Sequence, residues 1–244
     1  MRWTTLLLVA LAWSCDPQAD PAYPGEPLLT LQGQVVSQGP LPELEAAMLW
    51  QRGDPPATTD QDLATRAPVQ AGFPALFTAH LYHPPPAAAR RSLAPGEPIY
   101  ARATAAAVPK GIAAAQISGG AAAPPGPPGA GGGFGVDARH WVIYLASDVP
   151  AGSLTAWWLG APLAAGFHLL VVTPVNPACM TAAQLDACAA DLAARGVRDD
   201  GTSAPGTARA FCVAPYRLSL APPSESLVLD LGAVGLGPPG GGCP

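Results

Sequence analysis

The feature that most limits the fold of this chain is a series of short apolar runs, each bounded by proline or glycine. The 244 residues include 31 Pro and 27 Gly, and a proline inside a helix removes a hydrogen bond and clashes with the preceding turn. In the first run Leu29, Leu31, Gly33 and Val35 alternate with polar residues, which places them on one face of a strand. The runs recur at intervals of about 8 to 12 residues, as in sandwiches and barrels. The chain is therefore predicted to be mainly β, an antiparallel β-sandwich of about eight to ten strands.

These runs also set the expected boundaries. Strands are predicted at residues 28–37, 44–51, 66–71, 75–83, 98–106, 111–117, 140–147, 154–159, 167–173, 209–218 and 226–231. We expect one folded domain over residues 27–231. Residues 119–135 carry no charge and no apolar periodicity, so they predict a disordered Gly/Pro insert, and residues 232–244 predict a flexible tail.

One segment has a helical period instead. Thr181 and Gln184 have the spacing of a capping box, and Gly196 stands where a helix-terminating glycine belongs. Apolar residues recur at i, i+3, i+4 and i+7, namely Leu185, Cys188, Ala189 and Leu192. These signals predict a short helix over residues 182–195 that covers one end of the sandwich.

The N-terminus has the pattern of an export signal. Arg2 is followed by an apolar stretch over residues 6–13 and a small residue before Cys15, too short to span a bilayer. The segment ending at Cys15 resembles the lipobox of bacterial lipoproteins, which implies that residues 1–14 are a signal peptide and that Cys15 is lipidated. Ordinary cleavage after Ala12, which would leave Cys15 as a thiol, is the alternative. Residues 15–26 are polar and rich in proline, as expected of a tether.

Four further cysteines predict disulfides, because their number is even and the chain is expected to be exported. On the predicted helix, Cys179 and Cys188 would lie roughly 12 Å apart at 1.5 Å per residue, beyond the ~7 Å limit between bridged Cα atoms. We expect Cys188 to pair with Cys212, which is predicted to open the next strand, and Cys179 to pair with Cys243. The first bridge closes a loop of about 25 residues.

Few residues have the spacing of a catalytic or metal site. The sequence contains no C-x-x-C, G-x-S-x-G, S-x-x-K or H-E-x-x-H motif, so no catalytic residue, metal ligand or cofactor is predicted. His80 and His83 would project from opposite faces of a strand, whereas His140 and His168 each lie in a predicted strand and could pair with a carboxylate across the sheet. The net charge is −5 with scattered basic residues, which argues against binding to nucleic acid.

The adjacent pair Trp157 and Trp158 is the strongest indication of a binding surface. On a strand the two rings cannot both face the core, so one is expected to lie near the surface, where aromatic side chains bind partners or sugars. Both residues are therefore candidates for ligand binding.

Two resemblances follow from these patterns. The L-x-G-x-V motif at residues 31–35 and the later Ala71-Gly72-Phe73 are similar to carboxypeptidase regulatory-like and transthyretin-like sandwiches over residues 28–82; this resemblance implies no catalytic residue. The whole chain resembles lipoproteins of the bacterial cell envelope, which implies location and a membrane contact through the lipid anchor.

The leading hypothesis is an exported, lipid-anchored, non-catalytic β-sandwich protein with a binding or structural role in the cell envelope, its partner an envelope protein or a glycan. A secreted hydrolase with a dispersed active site and a carbohydrate-binding module are the alternatives.

Overall fold

The computed structural model describes residues 25–36, 43–52, 61–72, 74–114, 135–137, 139–204, 206–214 and 216–231. The predictions made for residues 1–14, Cys15, the tether up to residue 24, residues 119–134, the tail at 232–244 and Cys243 lie outside the described residues. Within these ranges, no helix combines the length and the apolar character needed to cross a membrane.

Strands make up most of the ordered elements, which confirms the predicted mainly β fold. The strands are β1 Leu29–Val36, β2 Leu44–Gln51, β3 Gln61–Pro68, β4 Ala75–Leu81, β5 Tyr100–Pro109, β6 Gly135–Val136, β7 His140–Leu145, β8 Gly166–Pro174, β9 Tyr216–Leu220 and β10 Leu227–Asp230. The helices are α1 Leu154–Leu159, α2 Ala182–Ala194 and α3 Ala208–Cys212, with short 3-10 turns at Ala87–Ala89 and Pro177–Cys179.

The strands form two sheets that share one short connection. Six antiparallel strands are arranged in the order β3, β2, β5, β7, β8, β9, and three more in the order β4, β1, β10. The pairing of β1 with β10 is parallel, with Gly33 opposite Leu227, so the sandwich is not antiparallel throughout. The two-residue β6 joins the sheets, because Val136 pairs with Ala106 of β5 and with Asp230 of β10.

The main core lies between the two sheets. Small side chains come from β5 at alternate positions, namely Ala101, Ala103, Ala105 and Ala107. Larger ones come from the neighbouring strands, including Leu31, Val35, Met48, Trp50, Phe77, Val142, Leu227 and Leu229. Alanines on the central strand leave room for these larger groups, each of which contributes about 1.5–3 kcal/mol when fully buried.

A third layer, formed by the three helices, covers the other face of the large sheet. One cluster joins this face to α1 and includes Trp141, Ile143, Leu170, Ala156 and Leu159. A second cluster takes buried residues from all three helices, including Leu154, Leu192 and Cys212. The predicted helix at 182–195 is confirmed, and the capping box between Thr181 and Gln184 is complete, but α1 and α3 were not expected.

The prediction of a strand at 154–159 is wrong, because local capping makes this segment helical. The Ser153 hydroxyl accepts a hydrogen bond from the Ala156 N–H, and Gly160 ends the helix with φ +79°. The Glu97 carboxylate also accepts from the N–H groups of Leu154 at 3.0 Å and Thr155 at 2.9 Å. Burial opposes the charge on Glu97, but the hydrogen bonds from Thr155 and Leu154 hold its pKa below the usual value.

Two other predicted strands are corrected in a similar way. The segment 209–218 divides into α3, capped by the Thr207 hydroxyl, and β9. Strand β5 continues to Pro109 and the chain then turns at Gly111 with φ +78°, so residues 111–114 form no strand, and 115–117 lie outside the described residues.

The disulfide between Cys188 and Cys212 is present, with 6.0 Å between the Cα atoms. It joins α2 to α3, so the expectation that Cys212 opens a strand is wrong. A bridge that closes 24 residues contributes about 3 kcal/mol. The pairing of Cys179 with Cys243 stays a prediction.

Substituting Gly33→Ala tests how closely β1 packs against its two neighbours in the small sheet, β4 and β10. A Cβ at this position would lie 2.3 Å from the Phe77 ring and 2.8 Å from the Leu227 carbonyl oxygen, so the ring and strand β10 must both move. We expect a loss of about 1–3 kcal/mol in the free energy of unfolding, measured by denaturant titration. The exposed Thr78→Ala on β4 is the control and should change stability by less than about 0.5 kcal/mol; equal stability of the two variants would contradict the prediction.

Candidate functional site

The two predicted ligand-binding tryptophans lie in one aromatic pocket. This pocket has a volume of about 140 Å³ and is lined by Trp157, Trp158, Phe211, Ala214, Tyr216 and Arg217. Because Trp157 and Trp158 are on α1 and not on a strand, their side chains diverge by about 100° and can border the same space. The expectation of one ring near the surface depended on a strand; on the helix both rings are partly exposed.

Further rings support the walls of the aromatic pocket. Trp158 packs on Tyr100 with 4.9 Å between ring centroids. The edge of Trp157 meets Phe211 at 6.5 Å, and Tyr216 meets Trp141 in a T-shaped pair at 4.7 Å. Such pairs restrict ring rotation, so the pocket keeps its shape before a ligand binds.

Arg217 adds a positive charge to the aromatic pocket. Its Nη1 donates to the carbonyl oxygens of Ala214 at 3.3 Å and Tyr216 at 3.1 Å, and its Nη2 donates to that of Cys212 at 3.4 Å. These carbonyls lie at and after the C-terminus of α3, where the helix dipole is negative. The guanidinium is therefore held beside the rings by backbone groups.

A second polar cluster joins Asp137, His140 and Glu225, and it is largely buried. His140 Nδ1 lies 2.8 Å from Asp137 Oδ2, and Nε2 lies 3.0 Å from Glu225 Oε1. The side chains of Asp137 and His140 are each 1% exposed, whereas that of Glu225 is 31% exposed. An imidazole between two carboxylates is stabilised in its charged form.

The carboxylate of Asp137 also organises the backbone around it. It accepts hydrogen bonds from the N–H groups of Arg139, His140 and Val228 at 2.8 to 3.0 Å. Val228 is on β10, so this buried charge links the start of β7 to the last strand. Burial lowers the pKa of His140, but the hydrogen bonds and charges of Asp137 and Glu225 outweigh it and raise that pKa above its usual value.

A wider cleft of about 390 Å³ opens between the two sheets. It is bordered by residues 29–32 of β1, residues 167–169 of β8, residues 220–223 and Glu225. His168 lies in this cleft and its Nε2 bonds to the Ala164 carbonyl at 2.8 Å. Thr30, also in the cleft, has its hydroxyl 3.0 Å from His80 Nδ1. Of the predicted histidines, His140 pairs with two carboxylates, but neither lies across the sheet as expected: Asp137 precedes it by three residues and Glu225 is in the segment before β10. The cleft brings His168 near that segment.

Sequence reasoning missed Asp137, Glu225, Phe211, Tyr216 and Arg217. Asp137 precedes His140 by three residues, a spacing that could have indicated a local pair. Phe211, Tyr216 and Arg217 reach the aromatic pocket only through the packing of α3 and β9. Glu225 reaches His140 only through the packing of the segment before β10.

Comparison of the chain with protein-family models, curated proteins and solved structures finds no match.

The cluster around His140 predicts a pH-dependent contribution to stability. Because its pKa is raised in the folded chain, this contribution is complete below the unfolded value near 6.5 and is lost as the pH rises through the folded pKa. Between pH 6 and 9 the wild type should lose stability relative to His140→Asn, which can donate to Asp137 but does not titrate. Denaturant titration across this range measures the difference.

His80→Asn is the matched control, since His80 contacts Thr30 in place of a carboxylate, and its stability should follow the wild-type dependence on pH. Parallel curves for the wild type and His140→Asn would contradict the proposed source of the stability.

Proposed function

We propose that this is an exported, lipid-anchored, non-catalytic β-sandwich protein that binds a glycan of the bacterial cell envelope through its aromatic pocket. The lipobox-like segment ending at Cys15 and the polar, Pro-rich stretch that follows support the anchor. Several acyl chains on one cysteine bind a membrane far more firmly than a single chain does.

The observation that carries the binding role is the convergence of Trp157, Trp158, Phe211 and Tyr216 around one small space, with Arg217 at its edge. The four aromatic rings border a space that is partly open to solvent, so a ligand can reach them. Rings that are already braced lose little conformational entropy when a ligand packs on them.

A glycan fits this pocket better than an envelope protein does. Specific protein interfaces bury about 800 Å² on each partner, whereas a space of about 140 Å³ accommodates a single ring-sized group. The C–H face of a sugar ring packs on an aromatic face, while the sugar hydroxyls remain available to polar groups such as Arg217.

A hydrolase with a dispersed site is the second candidate, and the cleft between the sheets favours it. Thr30, His168 and Glu225 line this cleft together, and they supply a hydroxyl, an imidazole and a carboxylate. If the cleft is catalytic, hydrolysis of a panel of chromogenic esters and glycosides should be abolished by His168→Ala and unaffected by Trp158→Leu.

A glycan array probed with the wild type and with Trp157→Leu and Trp158→Leu tests the binding role. Leucine keeps an apolar side chain but removes the ring face, so bound signal should fall by about tenfold or more in both variants. Tyr82→Leu removes an aromatic ring outside the aromatic pocket and should leave the signal unchanged. Binding that survives both tryptophan substitutions would exclude the aromatic pocket as the site.

The anchor is tested by Cys15→Ala in a bacterial host that exports the chain. The wild type should partition with detergent, and mass spectrometry should find acyl groups on a peptide that begins at Cys15, because acyl chains supply the membrane affinity. The variant should remain in the aqueous phase. An intact, unacylated N-terminus on the wild-type protein would refute the anchor.

A further inference from the structure

We infer that the ligand of the aromatic pocket is an acidic saccharide, whose ring packs on the tryptophans and whose carboxylate binds Arg217. This inference rests on the proposed function and adds the chemical class of the ligand.

Arg217 carries a positive charge that no carboxylate of the described residues pairs with. Five arginines of the described residues pair with a carboxylate: Arg52 with Asp62, Arg66 with Glu45, Arg195 with Asp191, Arg198 with Asp200 and Arg209 with Asp186. In the part of the chain that the structure describes, Arg217 has only backbone carbonyls as hydrogen-bond partners. Neutral carbonyls orient a guanidinium but do not cancel its charge.

The three hydrogen bonds to backbone carbonyls do not use all the N–H donors of the Arg217 guanidinium. A guanidinium has five N–H groups, and the bonds to Cys212, Ala214 and Tyr216 use three of them. Two are left over, which is the number that a carboxylate accepts in a bidentate contact. Because the carbonyls already hold the side chain, an anion binds without a large loss of rotamer freedom.

The Arg217 charge and the tryptophan rings border one pocket. Arg217 lines the same space as Trp157 and Trp158, so one small ligand can contact all three. The chain as a whole has 12 basic and 17 acidic residues, and a local cation in an acidic protein favours a single anionic group over a polyanion such as nucleic acid. A sugar ring with one carboxylate has both features.

The test is a fluorescence titration of the full chain, which uses the pocket tryptophans as the signal. Trigalacturonate and its methyl ester are the probes, because they share ring and linkage and differ in charge. The wild type should bind the acid about tenfold or more tightly than the ester, as expected for charge-assisted hydrogen bonds. Arg217→Gln should abolish this preference, so that acid and ester bind with equal affinity.

Two further variants make the result decisive. Arg217→Lys keeps the charge but cannot form the bidentate contact, so it should retain only part of the preference for the acid. Arg52→Gln removes an arginine from the far end of β2 and should behave as the wild type. Monomeric galacturonate, added as a third probe, distinguishes a free sugar acid from a residue within a polysaccharide.

Each outcome bears on the inference. Equal binding of acid and ester by the wild type would overturn it and leave glycan binding intact, as would a preference for the acid that persists in Arg217→Gln. Binding of neither probe would also overturn it, and the glycan array then decides separately whether the proposed function stands.

Discussion

The burial of β5 on both faces is the constraint on which the rest of the structure depends. Nine consecutive residues from Tyr100 to Val108 are buried, and they separate the sandwich core from the helical layer. The strand tolerates this position because alanine occupies every inward site from Ala101 to Ala107. Its outward face carries a cation, Arg102, which is 3% exposed and stacks over Trp141 at 4.3 Å while donating to Gln51. Both neighbours of this buried charge are in the large sheet, Trp141 on β7 and Gln51 on β2, so Arg102 links the central strand to two others of the same sheet.

Apolar periodicity predicted most of the strands because burial on one face is a local property of the sequence. It predicted β2 at 44–51 with its observed bounds, and it predicted α2 from the capping box at Thr181. It failed at α1, where Trp-Trp-Leu has the composition of a strand; the local caps Ser153 and Gly160 were overlooked, and the support from Glu97, 57 residues earlier, is visible only in the fold. The parallel pairing of β1 and β10 was also hidden, since it joins residues almost 200 positions apart.

The aromatic pocket was predictable only in part. The adjacent tryptophans identified where a ligand could bind, but the error in secondary structure also misplaced their side chains. Arg217 and Tyr216 reach the pocket because the Cys188 to Cys212 bridge and the short helix α3 bring the start of β9 beside α1. For the buried cluster, Asp137 and His140 are near neighbours in sequence, whereas Glu225 follows His140 by 85 residues. Spacing along the chain can therefore indicate a pair such as Asp137 and His140, whereas only tertiary packing brings Glu225 to that pair.

The parallel pairing of β1 with β10 has a consequence for the order in which the chain folds. Strand β1 is among the first elements to be synthesised, yet one of its two edges has no partner until residues 227–230 have been made. The small sheet is then limited to the antiparallel pair of β1 and β4, and two strands alone are marginally stable in water. The small sheet is therefore completed only after all six strands of the large sheet, the last of which ends at Leu220, have been synthesised.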